Sequence, residues 1–129
     1  MFKKIFSYLK IIFYFANLVL ITLYIFPGSI LGWFIYGDAG LQPQITSDFI
    51  VSSNHVYAFI ILSIFGFINY YKTNKLLIIS YLFSISIFLE LLHLAIPNRS
   101  FQFSDLFGNI LGVLLTFFIM NLLNYWIKK

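Results

Sequence analysis

Long apolar runs separated by short polar segments dominate the chain. A helix needs about 20 apolar residues to cross the hydrocarbon core of a bilayer. Runs of close to this length lie at about residues 11–26, 51–70, 76–96 and 103–127. None of them alternates between apolar and polar residues as a barrel strand does. The pattern therefore predicts an all-α integral membrane protein with four transmembrane helices.

A shorter apolar piece, residues 30–36, lies between the first two spans. Turn-forming residues flank it, with Pro27 before it and Gly37 after it. Seven residues are too few to cross a membrane, and Trp33 is of a type that collects at the headgroup level. We therefore expect an interfacial or re-entrant segment between helices 1 and 2.

The amino-acid composition agrees with a membrane protein and excludes several kinds of functional site. Hydrophobic residues make up 61% of the chain and charged residues only 9%, which leaves a water-soluble fold nowhere to place its apolar surface. The chain has no Cys, so disulfides, thiolate ligands and cysteine nucleophiles are excluded. The net charge of +4 comes from cations at the ends of apolar runs and not from a basic patch, so no nucleic-acid partner is expected.

The basic residues also predict the orientation. Seven of them fall on one side of the predicted membrane: Lys3, Lys4, Lys10, Lys72, Lys75, Lys128 and Lys129. Arg99 lies alone on the other side. Because cytoplasmic loops carry the excess of Lys and Arg, both termini are predicted to be cytoplasmic. The first run is interpreted as a retained signal anchor, with a cleaved secretory signal peptide as the alternative, since both begin with basic residues.

Ionisable and amide side chains inside the predicted spans share one depth. Glu90 and His93 lie near the end of the third span, Asp105 and Asn109 lie four residues apart at the start of the fourth, and His55 lies about one turn into the second. Inserting a charged residue into a membrane span costs about 2.5–3.5 kcal/mol, so charged residues there usually have a functional or structural role. We expect these groups to form one polar site near the outer leaflet.

Gly108 and Gly112 form a GxxxG pattern in the fourth span. Two glycines one turn apart allow a second helix to approach closely. We expect that helix to belong to the same chain, with dimerisation as the alternative. Internal packing would bring Asn109 close to Glu90 or His55.

These residues together resemble the VanZ-like family of small bacterial membrane proteins. The resemblance covers about residues 55–118 and rests on seven positions: His55, Glu90, Arg99, Ser100, Asp105, Asn109 and Gly112. Two departures stand out. The family has Asp-Lys where this chain has Val51 and Ser52, and it has Gln where this chain has His93.

The resemblance implies a fold and a location more than a reaction. It implies a single VanZ-like domain over residues 1–129 in a bacterial cytoplasmic membrane. It also implies a link to glycopeptide resistance or to envelope polysaccharide metabolism. With Val51 and Ser52 in place of the Asp-Lys pair, any role of that pair is missing or has shifted to Asp48.

We predict that the site recognises an anionic cell-envelope lipid or a lipid-linked saccharide. The candidate substrate-binding residues are Arg99, Ser100, Asn109 and His93. A guanidinium beside hydroxyl or amide donors suits a phosphate or a carboxylate. In the alternative interpretation, Arg99 only pairs with Asp105 or Glu90.

A second hypothesis makes the chain a membrane-embedded enzyme of phosphoryl or phosphodiester chemistry. His55 would be the general base or nucleophile, and Glu90 or Asp105 would orient it. A third hypothesis treats the polar groups as hydrogen bonds that join helices in a structural accessory subunit of an envelope complex. The oligomeric state is not predicted.

No cofactor or metal is predicted, with a divalent metal as the alternative. Glu90 and His93 lie three residues apart, as in the Glu-x-x-His motif of di-iron bundles, and His55 and Asp105 are further candidate ligands. Such bundles use the motif twice, whereas this chain has it once.

Overall fold

The computed structural model describes residues 2–127, with side chains described from residue 7 onward. Five helices follow one another along the chain: α1 (Phe2–Ile25), α2 (Ile30–Tyr36), α3 (Ser53–Tyr70), α4 (Lys75–Leu92) and α5 (Phe103–Ile127). No strand occurs within residues 2–127. The predicted all-α fold is confirmed.

Three of the helices are long and apolar enough to cross a membrane. They are α1 from Ser7 onward, α4 and α5. The 18 residues of α3 fall short of the same standard because Asn54, His55 and Asn69 lie among them. Three such helices indicate a membrane protein, while a crossing by α3 stays a prediction.

Helix α3 lies at the centre of the bundle and packs against α1, α4 and α5. Its side chains Phe59, Leu62 and Phe67 are fully buried. The outward faces of the long helices are also apolar, with Phe15 and Phe118 each 64% exposed. A water-soluble protein rarely exposes so much apolar surface, so these outward faces fit a lipid environment.

The two glycines of the GxxxG pattern face α3. A Cβ atom on Gly112 would lie 2.6 Å from the carbonyl oxygen of Val56, and one on Gly108 would lie 2.8 Å from that of Ser52. Only glycine permits this approach of two backbones. The predicted packing within the chain is confirmed, and it fixes Asn109 beside α3.

Basic residues gather at one end of the bundle. Helices α3 and α4 form a hairpin through residues 71–74. The Lys10 ammonium lies 5.8 Å from the centre of the Tyr70 ring, and that of Lys75 lies 4.7 Å from the Tyr71 ring. The opposite end, which we call the polar end, contains the last turns of α1 and α4 and the first turns of α3 and α5.

Helix α4 ends four residues before the predicted limit of the 76–96 span. The N–H groups of residues 93, 94 and 95 donate to carbonyls three residues earlier, at 3.1, 3.1 and 2.9 Å, so the α-helix gives way to tighter turns. Pro97 cannot continue the helix, and Asn98 takes a left-handed φ of 58°. Glu90 therefore lies in the last turn of α4, nearer the end of the helix than expected.

The segment at residues 30–36, predicted to be interfacial or re-entrant, forms a short helix, α2. The Ser29 hydroxyl accepts from the Gly32 N–H at 2.9 Å, and Gly37 ends the helix with a φ of 71°. The Ser29 N–H donates to the Ala39 carbonyl at 2.7 Å, so the chain folds back against the start of α2. At the start of α3, Asn54 Nδ2 donates to the Pro43 carbonyl at 2.6 Å, so the loop after α2 contacts the polar end. The expected interfacial location of α2 stays a prediction.

Candidate functional site

Three helices meet at a buried hydrogen-bonded centre formed by Tyr24, His55 and Asn109. The Tyr24 hydroxyl donates to Asn109 Oδ1 at 2.6 Å and lies 2.7 Å from His55 Nδ1. His55 Nδ1 is itself 2.9 Å from Asn109 Oδ1. All three residues are at least nine-tenths buried. This centre joins α1, α3 and α5 by polar contacts within an apolar bundle.

The contacts of Asn109 define the protonation of His55. Asn109 Nδ2 donates to the Ser86 carbonyl of α4 at 3.0 Å, so Asn109 Oδ1 faces His55 and Tyr24 as an acceptor. The Tyr24 proton is directed to the same oxygen, which leaves His55 Nδ1 facing two oxygen acceptors. Nδ1 must therefore carry a proton, and the lone pair of a neutral His55 lies on Nε2.

Asp105 faces that second nitrogen of His55. The Asp105 Oδ2 atom lies 3.5 Å from His55 Nε2, longer than the 2.7–2.9 Å of a charge-assisted hydrogen bond. Asp105 is in the first turn of α5, where the positive end of the helix dipole favours a carboxylate. It is less buried than His55 and lines a cavity at the polar end.

Glu90 is fully buried, and only one of its carboxylate oxygens has a partner among the described residues. Glu90 Oε1 accepts from the Gln102 N–H at 3.1 Å and lies 3.2 Å from His93 Nδ1. Glu90 Oε2 is buried without a hydrogen bond. An unpaired buried carboxylate oxygen is costly, so this atom calls for a proton, a water molecule, a cation or a ligand.

His93 is held by α1 as well as by its own helix. Its ring stacks on the Tyr24 ring, with centroids 5.2 Å apart and planes inclined by 14°. His93 Nε2 lies 3.2 Å from the Tyr24 carbonyl, while Nδ1 faces Glu90. Both ring nitrogens are thus in contact with oxygen atoms of the protein.

Arg99 contacts backbone carbonyls and not the acids. Its Nε donates to the Phe26 carbonyl at 3.2 Å and its Nη2 to that of Leu23 at 2.7 Å. These contacts satisfy carbonyls at the end of α1, which have no partner within the helix. Within the described part of the chain, no ion pair joins Arg99 to Asp105 or Glu90, so the alternative of a direct pair is not observed.

Burial nevertheless affects this guanidinium. Partial removal from water lowers the pKa of Arg99 from its ordinary value, while the charges of Glu90 and Asp105 act in the opposite direction. The guanidinium nevertheless stays protonated at neutral pH, because the ordinary pKa of arginine is far above neutrality. The polar end therefore keeps one fixed positive charge close to two acids.

Two cavities meet at the polar end. The first, of about 410 Å³, has mainly polar walls and is bordered by His93, Arg99, Ser100 and Asp105 among others. The second, of about 490 Å³, has mainly apolar walls from α1, α2 and α3. Four residues border both cavities: Ser29, Gln42, His93 and Arg99. The two spaces are therefore adjacent, and together they are here called the composite cavity, with a polar and an apolar part.

The sequence-predicted residues fall into two groups. His55, Glu90, His93 and Asn109 come together in the buried interior, and the partly exposed Asp105 lies beside His55. Arg99 and Ser100 border the polar cavity, and Ser100 is exposed. Asp48 lies apart from them, where it accepts from the Ser53 N–H at 2.8 Å and caps α3.

Tyr24 is the residue that the sequence did not reveal. It contacts His55 and Asn109 through its hydroxyl and His93 through its ring and carbonyl. Its position within the first apolar run, as one of nine tyrosines, gives no local sign of this role.

The function has to be inferred from this geometry. The site joins buried acids and imidazoles to a partly apolar cavity at one end of the bundle. Comparisons of the chain with protein-family models, with curated proteins and with solved structures find no match.

Proposed function

We propose that this chain is a VanZ-like protein of a bacterial cytoplasmic membrane that binds an anionic cell-envelope lipid or lipid-linked saccharide at the outer leaflet. In this proposal α1, α3, α4 and α5 cross the membrane and both termini are cytoplasmic. The composite cavity is the observation that carries the proposal.

The composite cavity suits an amphiphile because its two parts differ in chemistry. Ligand sites in proteins commonly measure about 300–1,000 Å³, and each part falls within that range. The polar part would hold a headgroup, and the apolar part, bordered by Leu23, Ala58 and Ile61, would hold the start of an acyl or prenyl chain. A polar metabolite would leave the apolar part unused.

Arg99 supports an anionic headgroup. It borders both parts of the cavity and uses two of its five N–H donors on the α1 carbonyls. The other donors remain for a phosphate or carboxylate, which a guanidinium binds with two parallel hydrogen bonds. Its contacts to α1 hold the guanidinium in place before a ligand arrives.

The distribution of charge supports the orientation. Lys10 and Lys75 lie at the end of the bundle opposite the polar end, in contact with Tyr70 and Tyr71. Excess Lys and Arg mark the cytoplasmic side, so the polar end would face outward. Envelope lipids and lipid-linked saccharides in the outer leaflet would then reach the composite cavity from the membrane.

The geometry favours recognition over catalysis by His55. A general base or nucleophile needs a nitrogen within reach of the substrate. His55 Nδ1 faces Tyr24 and Asn109, Nε2 faces Asp105, and the residue is 7% exposed. Nε2 is directed at Asp105, and His55 does not border the polar cavity, so His55 reaches a substrate there only after a rearrangement of this centre.

Lipid retention by variants tests the proposal. Arg99→Ala removes a charge-assisted contact of about 1.5–3 kcal/mol, which corresponds to about 10- to 100-fold weaker retention of the anionic lipid. Ala58→Phe fills the apolar part and should displace the same lipid without changing any charge. Native mass spectrometry of protein extracted in mild detergent measures both effects.

Two control variants separate binding from general damage. Lys72→Ala removes an exposed cation at the opposite end, and Ala95→Phe adds an aromatic ring at an exposed position outside both cavities. Both should retain the lipid at the wild-type level. Equal retention by the wild type, Arg99→Ala and Ala58→Phe would show that the composite cavity does not bind it.

A further inference from the structure

We infer that His55, Glu90 and Asp105 form a binding site for one divalent transition-metal ion. The three side chains come from α3, α4 and α5. Each offers one ligand atom, and these atoms all lie within 4.8 Å of one another. The inference stands on these contacts and does not depend on the lipid-binding proposal.

The spacing of the ligand atoms fits a metal better than a direct hydrogen bond. Two ligands bound about 2.0–2.1 Å from a tetrahedral zinc ion lie about 3.3 Å apart. His55 Nε2 and Asp105 Oδ2 are 3.5 Å apart. Glu90 offers the third ligand atom, within 4.8 Å of the other two, and would have to move closer to close the site.

The unpaired oxygen of Glu90 is independent evidence for a cation. Glu90 is 0% exposed, and its Oε2 has no hydrogen-bond partner among the described residues. The other oxygen, Oε1, is already occupied by the Gln102 N–H and faces His93. Among the described residues, Oε2 is the one buried carboxylate oxygen without a hydrogen bond, and a bound metal would satisfy it.

The neighbours of His55 hold its ring in the tautomer and orientation that a metal ligand needs. A metal-binding histidine usually donates its second N–H to an oxygen, which fixes the tautomer and the ring orientation. Here Nδ1 faces Tyr24 and Asn109, and Asn109 is held in turn by the Ser86 carbonyl. The Nε2 lone pair therefore points away from this network, toward Asp105.

The charges also balance. A divalent ion with two carboxylates and a neutral imidazole has no net charge, which is the state that burial penalises least. One nitrogen and two carboxylate oxygens suit zinc, manganese or iron(II), while Mg²⁺ and Ca²⁺ prefer oxygen ligands alone. Bound metal would also leave the Arg99 charge free to attract an anion.

This site differs from the Glu-x-x-His motif that the sequence suggested. His93 belongs to that motif, but its two nitrogens contact the Tyr24 carbonyl and Glu90 Oε1. Of the four candidate ligands that the sequence offered, the structure therefore brings together His55, Glu90 and Asp105 and leaves out His93. It also favours a metal over the sequence prediction of none.

Metal titration of matched variants tests the inference. Protein purified through a tag without histidine is stripped with a chelator and titrated calorimetrically with Zn²⁺ and, separately, with Mn²⁺. The wild type should bind one equivalent of at least one of these ions. Glu90→Gln, His55→Gln and Asp105→Asn should each bind it more than about 100-fold more weakly. Loss of a residue that only hydrogen-bonds to a metal ligand weakens binding by about 10- to 100-fold.

Two controls distinguish these ligands from other polar residues. His93→Gln changes the second histidine, and Asp38→Asn changes an exposed acid that only caps a turn at Gly40. Both should keep one equivalent. Circular dichroism verifies that each variant is helical, and bound metal should raise the melting temperature of the wild type but not that of Glu90→Gln.

Three outcomes would overturn the inference. In the first, the wild type binds less than one equivalent of both ions. In the second, the three ligand variants bind as tightly as the wild type. In the third, His93→Gln loses the metal while Asp105→Asn keeps it, which would restore the Glu-x-x-His motif. None of these results bears on lipid retention by Arg99→Ala, so the two proposals fail separately.

Discussion

Replacing Asn109 with alanine is expected to lower the free energy of unfolding by about 2–4 kcal/mol, because each buried group left without a partner costs about 1–3 kcal/mol. Asn109 is fully buried and contacts three other helices, through Tyr24, His55 and the Ser86 carbonyl. Alanine would leave all three without this partner. Thermal or denaturant unfolding in detergent measures the loss.

Asn124→Ala in the same helix is the matched control. Asn124 Nδ2 donates only to the Met120 carbonyl of its own helix, at 2.7 Å. This change should alter the unfolding free energy by less than about 0.5 kcal/mol, as is usual for substitutions away from buried networks. Equal effects of the two variants would show that the Tyr24, His55 and Asn109 centre does not hold the helices together.

Cysteine labelling is expected to give an all-or-none difference between the two ends of the bundle. The chain has no native Cys, so a single introduced thiol reports its own location. Ala95→Cys lies in an exposed turn at the polar end, and Thr73→Cys lies in the exposed α3–α4 connection. In intact bacteria, a maleimide that cannot cross the membrane should modify residue 95 and not residue 73.

Disruption of the membrane provides the control for that experiment. Residue 73 should then react as well, which shows that its thiol is accessible. Labelling of residue 73 but not residue 95 in intact cells would invert the topology. Labelling of both would show that α4, the helix between these two positions, does not cross the membrane.

Local signals in the sequence were sufficient for most of the helices. Residues 30–36 form α2 because Ser29 and Gly37 are capping residues that act within a few positions of the helix. Gly108 and Gly112 indicated the close contact of α5 with another helix, and their packing against α3 confirms it. Patterns of this kind depend on neighbouring residues only.

Helix ends were harder to predict than helix centres. The apolar run of the third span continues to residue 96, but α4 ends at Leu92. Hydropathy does not distinguish an α-helix from the tighter turns that precede Pro97. Helix α1 continues beyond its apolar run at residues 11–26, back to Phe2, through basic residues that form helices readily.

The polar site was only partly predictable because its contacts are distant in sequence. Shared depth indicated that His55, Asp105 and Asn109 would lie near one another, and they do. Tyr24 is 31 residues from His55 and 85 from Asn109, so only the packing of α1 reveals its role. Arg99 binds carbonyls 73 and 76 residues away, which charge pairing along the sequence could not show.

The account depends most on one amphiphile occupying both parts of the composite cavity. A photoreactive amino acid at Ile61, which borders the apolar part, should capture one anionic amphiphile far above its share of the membrane lipid. At Ile64, an exposed residue of the same helix outside the cavity, it should capture lipids in proportion to the membrane. At Ser100, in the polar part, it should capture the same molecule as at Ile61. Adducts of equal composition at Ile61 and Ile64, with none at Ser100, would contradict the account.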